Sequence, residues 1–117
     1  MFTIRRETAH ALKILKLLSK NENKILSLNE ISKKTKVSFL FLQKIARKLR
    51  LAKMISSVYG VDGGYALAID AKKLSVLKVI EAMEGKCDVF EFKENKKLVE
   101  TNKKIVKLLE NVKLINI

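Results

Sequence analysis

Between Arg6 and Ser19 the apolar residues Ala11, Ile14, Leu15 and Leu18 recur three and four positions apart, with Leu12 and Leu17 beside them. That spacing predicts an amphipathic helix. Lys20–Leu26 follows as a polar loop. Ser27 and Glu30 then stand in the S-x-x-E arrangement, where hydroxyl and carboxylate each satisfy a backbone donor that the first turn leaves unpaired. A short helix therefore begins after Ser27. A turn over TKVS leads to Ser38, an N-cap for a second helix placed at Phe39–Leu51. On its wheel Leu42, Ile45, Ala46 and Leu49 fall on one side, and with Ile31 and Val37 they supply a core shared by two short helices. Leu40, Gln43, Lys44 and Arg47 fall on the other side, with Phe41 on the shoulder.

After Leu51 the helical spacing gives way to alternation. Ile55–Tyr59 and Tyr65–Ile69 predict paired strands, and Gly60, Gly63 and Gly64, three of the four glycines, predict a tight hairpin tip around Asp62-Gly63. Ser75 caps a helix over Val76–Glu84 with Val76, Val79, Ile80 and Met83 inward and Gly85 as its stop. Lys86–Glu94 is a connector, in which Phe90 and Phe92 are expected to serve as local core or interface. The last long segment, Asn95–Asn111, carries Leu98, Ile105, Leu109 and Val112 along one side, widened by Val99, Val106 and Leu108. Lys96, Glu100, Lys103, Lys104 and Lys107 lie opposite. Such a helix needs a partner, either its own domain or, the reading favoured here, its copy about a twofold axis. Asn102 in the stripe is placed to fix the pairing register, and the alternating tail Lys113–Ile117 is expected to lie along a partner element.

A helix-turn-helix followed by a hairpin makes the fold class mainly α with a small β-hairpin wing, a winged helix-turn-helix with a long C-terminal dimerisation helix. The expected division is a DNA-binding domain over residues 1–85 and a connector with dimerisation helix over 86–117. Charge sharpens this. The net charge is +13, and residues 1–60 hold 14 Lys and Arg against 3 Asp and Glu, whereas residues 61–117 hold 11 against 9. Positive charge concentrated on the helix-turn-helix half is what a phosphate-binding surface requires. Arg5 and Arg6, at the start of the first helix, belong to that cationic set, and Ser27 joins the candidate DNA contacts. Gln43 can pair with adenine, Lys44 and Arg47 can reach guanine edges or phosphates, and Leu40 can touch a thymine methyl. The glycine-rich tip suits a minor groove or a phosphate strand.

Other chemistry is thinly represented. Cys87 is the one cysteine, so a single chain offers no disulfide and no four-ligand zinc or iron–sulfur site. Cys87 is read as a passive thiol, the alternative being a redox response helped by Lys86 and opposed by Asp88. His10, the sole histidine, is read as partly buried and structural. No nucleophile–base pair, phosphate-cradling loop or paired carboxylate is evident, which argues against an enzyme. No run is long enough to span a membrane and Arg5, Arg6 and Glu7 interrupt any leader-like segment, so the expected location is cytoplasmic.

RRETAHALKIL in the first helix, SLNEISKKTKVSFLFLQKIARKLRLAKMI across the helix-turn-helix, SSVYGVDGGYALA in the wing and LSVLKVIEAMEG after it resemble the IscR/NsrR/CymR-type bacterial winged-helix regulators. The likeness covers residues 1 to about 85 well and the remainder in architecture alone. It implies a homodimer on a palindromic operator, usually as a repressor, with recognition-helix contacts at Ser38, Leu40, Phe41, Gln43 and Lys44 and wing contacts at Tyr59 and Gly60. Some members hold an iron–sulfur cluster on three cysteines, sometimes with a fourth ligand from the partner's first helix. Four positions depart from that pattern. Cys87 stands alone in the cluster region, and Ala9 replaces an acidic ligand. Tyr59 replaces the wing arginine. Lys53 replaces the glycine after the recognition helix, costing on the order of 1 kcal/mol if its backbone is left-handed.

The leading expectation is thus a cluster-free transcription regulator with half-sites about 34–36 Å apart on double-stranded DNA. The alternative is a protein-interaction module of the same fold that has lost operator recognition. The effector is not legible.

Overall fold

The core is built where the apolar stripes predict it. In the computed structural model, which describes residues 3–89 and 94–117, α1 (Arg6–Ser19), α2 (Leu28–Thr35) and α3 (Phe39–Leu51) bury Ile14, Leu15, Leu18, Ile31, Leu42, Ile45 and Leu49 together. The expectations for Phe90 and Phe92 lie outside the described residues. Ser27 accepts from the Glu30 amide at 3.2 Å while the Glu30 carboxylate receives the Ser27 amide at 3.4 Å, completing the reciprocal cap. Ser38 Oγ accepts from the Phe41 amide, fixing where α3 starts.

Two lysines bend the chain between elements. Lys36 ends α2 with φ 61° and Lys53 follows α3 with φ 61°, both left-handed. At Lys53 the turn is closed by two bonds: the Met54 amide donates to Leu49 O at 3.0 Å, and the Lys53 amide to Arg50 O at 2.9 Å. Met54 and Leu49 are both buried, so this helix end is sealed by a hydrophobic contact as well as by its carbonyls.

The wing is an antiparallel pair, β1 (Ile55–Val58) and β2 (Gly64–Leu67), in the register Ile55 opposite Leu67 and Val58 opposite Gly64. Both strands are shorter than the alternation predicts. Tyr59 leaves the ladder ahead of Gly60, whose φ is 115°, and Ala68 bonds to Met54 O outside the named strands. Leu26, assigned to a polar loop, is buried and pairs with Tyr65 through bonds of 2.8 and 3.0 Å, adding a third rung beside β2. Gly64 permits this approach, since a Cβ there would sit 2.2 Å from Leu26 O.

α4 (Val76–Glu84) is capped by Ser75 and buries Leu77, Val79, Ile80 and Met83. Val76, expected inward, is half-buried, and Leu77 takes its place because α4 packs on two sides. α5 (Lys96–Asn111) is capped by Asn95, and no residue along it is fully buried. The tail corrects another expectation. Instead of lying on a partner element it returns to its own chain: the Leu114 amide donates to Leu74 O at 2.8 Å, and the Leu114 side chain is 1% exposed. Lys16 Nζ reaches Leu114 O from α1. The radius of gyration of 15.7 Å exceeds the roughly 13 Å expected at this length, and the longest dimension is 55 Å.

Candidate nucleic-acid interface

α3 divides as its wheel predicts. Its inner face is sealed in the core, while Leu40 (79% exposed), Gln43, Lys44 and Arg47 face solvent. Phe41 is half-buried and meets the His10 ring edge-on, with centroids 5.6 Å apart. Phe41 thus braces α3 against α1, and His10 is a packing residue whose buried Nδ1 has no hydrogen-bond partner among the described residues.

The start of α3, the start of α2 and the wing enclose a cleft of about 300 Å³. Ser27, Asn29, Phe39, Ser57, Tyr59 and Gly60 are among the residues lining it. The fold therefore brings Ser27 and the wing pair Tyr59 and Gly60 to one cleft at the exposed end of α3. Ser27 and Ser38 spend their hydroxyls on helix caps. Arg5 lines a different cleft with Glu84, Gly85, Cys87 and Asp88, and its amide donates to the Glu84 carboxylate. Arg6 is exposed nearby on the first turn of α1.

One residue on this face escaped the sequence reading. Arg50, on the last turn of α3, donates through Nη1 to the Tyr59 hydroxyl at 2.9 Å, so the helix holds the wing. A partner nine residues away across a turn leaves no local spacing signal. The Ser57 hydroxyl and the Arg50 guanidinium together hold the Tyr59 phenol below its ordinary value. Of the two, only Arg50 makes a hydrogen bond of ordinary geometry to it. Among the described residues the carboxylate partners of lysine are Glu7, 3.1 Å from Lys48, and Asp88, 3.8 Å from Lys86. Lys44, Arg47 and Arg50 have none, leaving a row of three uncompensated cations on the outer face.

Residues 4–114 match the Rrf2 family, described as an iron-dependent transcriptional regulator. The chain belongs to the Rrf2 family. The transcriptional regulator IscR of Cereibacter sphaeroides is 39% identical over 74 residues, covering 63% of this chain and 48% of that protein. IscR of Vibrio vulnificus is 38% identical over 61 residues, 52% of this chain and 36% of its own length. The chain thus spans about half or less of these curated relatives. The structure of CymR (YrzC), the global cysteine regulator of B. subtilis, superposes with a TM-score of 0.86 at 22% identity, over 99% of this chain and 95% of that one. The oxidised form of Staphylococcus aureus CymR gives 0.79 at 28% identity, over 98% and 94%. These Rrf2 relatives are transcriptional regulators, and the winged helix-turn-helix is common to them. No helix among the described residues is long and apolar enough to cross a membrane.

The iron in the Rrf2 description asks whether a cluster fits these side chains. A three-thiolate site needs three cysteines, and this chain has one. Burial and the carboxylates of Glu81, Asp88 and Glu84 push the Cys87 thiol above its ordinary value, the reverse of what a thiolate ligand requires. Asp88 is held by Lys86 and by the Asn102 amide, and Glu84 by Thr8 and the Arg5 amide. Among the described residues no three His, Cys, Asp or Glu are grouped to hold a metal. The donor set does not fit such a cluster.

Proposed function

We propose that this chain is a sequence-specific DNA-binding regulator, a cluster-free repressor acting as a homodimer on a palindromic operator. The observation that carries the reading is the split of α3. A helix anchored on its full inner face presents Leu40, Gln43, Lys44 and Arg47 outward, beside a wing that shares its cleft. Rigid anchoring matters because base contacts discriminate only when side chains are held in register with the groove.

Residues 1–85 supply the reading unit, and α5 supplies the pairing surface through Leu98, Ile105 and Leu109, continued by Val112 just past its end. Half-buried apolar side chains on α5, with none fully buried, support a face that is finished by a second copy. The Asn102 amide is already engaged within the chain, accepting from the Val89 amide at 2.7 Å and donating to Asp88. In this reading Asn102 holds the connector against the side of the dimer helix.

The test is selection of binding sites from random duplex DNA, followed by fluorescence anisotropy at several salt concentrations. A palindromic consensus is expected, with affinity falling steeply in salt and with Lys44→Ala and Arg47→Ala each weakening binding. Indifference to both sequence and salt overturns the reading.

A further inference from the structure

We propose that Arg50 and Tyr59 form one clamp on the DNA backbone, with Arg50 contacting a phosphate that flanks the half-site and Tyr59 holding its guanidinium in place. The proposal rests on the DNA-reading function above and deepens it by adding a contact from the far end of α3.

Gln43, Arg47 and Arg50 follow one another at helical spacing, so Arg50 extends the outward stripe to the last turn, where the chain turns at Lys53 into the wing. A guanidinium has five N–H donors, and the Tyr59 hydroxyl takes one. The others remain available, and no carboxylate pairs with Arg50 among the described residues. Tyr59 is 82% exposed, so packing does not explain its position. Among the described residues, the hydrogen bond of ordinary geometry that its hydroxyl makes is the link to Arg50. A tyrosine held in water by an arginine serves the arginine: it removes rotamer freedom that a phosphate contact would otherwise have to remove. Next to it Gly60 has a left-handed backbone, and the space where its Cβ would stand has no atom within 4 Å, so the wing beside Tyr59 is open.

The two residues have separable signatures. Arg50→Ala removes one phosphate contact per half-site and should lower the slope of log affinity against log salt by about 0.9 for each half-site, about 1.8 for the dimer on its palindrome. Tyr59→Phe keeps the charge and loses the orienting hydroxyl, so it should leave the slope unchanged and weaken binding about two- to tenfold per half-site. The double variant should bind no worse than Arg50→Ala, because Tyr59 acts through Arg50. Duplexes carrying neutral methylphosphonates at the flanking positions should weaken binding of the wild-type protein but not of Arg50→Ala. Both side chains are exposed, and unchanged circular-dichroism melting of each variant checks the fold.

The clamp is overturned if the wild-type protein binds DNA while Arg50→Ala retains its full salt slope, or if the effects of Arg50→Ala and Tyr59→Phe simply add. It is likewise overturned if flanking base changes, and not methylphosphonates, cancel the contribution of Arg50, for then the contact is to a base. A wild-type protein with no salt-dependent DNA binding overturns the parent reading and the clamp with it.

Discussion

Lys53→Gly should stabilise the protein. Lys53 sits at φ 61° in the turn joining α3 to the wing, and its side chain is exposed. A left-handed backbone costs a residue with a Cβ about 1–2 kcal/mol. Glycine avoids that cost but loses roughly 0.5–1 kcal/mol to the greater freedom of its unfolded chain. The difference is a gain of about 0.5–1 kcal/mol, because the two hydrogen bonds closing this turn come from backbone amides that glycine also has. For a chain of this length the unfolding entropy is roughly 0.25 kcal/mol/K, so the melting temperature should rise by about 2–4 °C. Thermal unfolding of both proteins at one protein concentration measures it, since pairing would make the midpoint concentration-dependent. Lys53→Asn should recover part of the gain, asparagine tolerating this backbone region better than lysine. A glycine variant melting at or below the wild-type temperature would refute the left-handed assignment at Lys53.

Three further outcomes follow from the packing. Gly64→Ala drives a Cβ onto Leu26 O, so it should cost about 1–3 kcal/mol and expose the Leu26 and Tyr65 amides to hydrogen exchange; full protection would contradict the third rung. Leu114→Ala removes a buried side chain and should cost about 2–5 kcal/mol in urea denaturation, whereas a loss below about 0.5 kcal/mol would mean the tail is not docked. With its thiol raised by burial and by Glu81, Asp88 and Glu84, Cys87 should ionise at a higher pH than a free cysteine. Its reaction with a thiol reagent should therefore be slower at neutral pH than that of a free cysteine and accelerate at higher pH, and labelling at pH 7 as fast as that of a free thiol would reverse the assignment of a passive thiol.

The helices were legible because each carries an apolar stripe and a cap in its own sequence, and the split of α3 needed nothing beyond the wheel. What escaped is non-local. Leu26 looks like a loop residue until it meets Tyr65, although one local signal existed: it precedes the Ser27 cap, and Ile31 follows at the fourth helical position, the spacing of a hydrophobic staple. Both are buried. The tail offers alternation without saying which strand or helix it will join, and its partner is its own Leu74. The Asn102 stripe position was legible, but the bond to Val89 depends on how the connector folds back. At the interface, Lys44 and Arg47 were visible from spacing, whereas Arg50 acquires meaning only once the Lys53 turn brings Tyr59 to it.

The composition of the outer stripe has a consequence for how discrimination survives changes in salt. On the proposed reading, Lys44, Arg47 and Arg50 contribute attraction that any duplex receives, and raising salt erodes it for specific and non-specific DNA alike. Leu40 and Gln43 lie among these cations on the same exposed face. A methyl group buried by Leu40 against a thymine is worth about 0.8 kcal/mol, roughly fourfold in affinity, and that increment does not depend on counterions. The unpaired donors and acceptors left when Gln43 faces the wrong base add a further penalty of the same kind. Absolute affinity and the ratio between right and wrong sites are therefore carried by different side chains on one helix, and salt can lower the first steeply while leaving the second nearly in place.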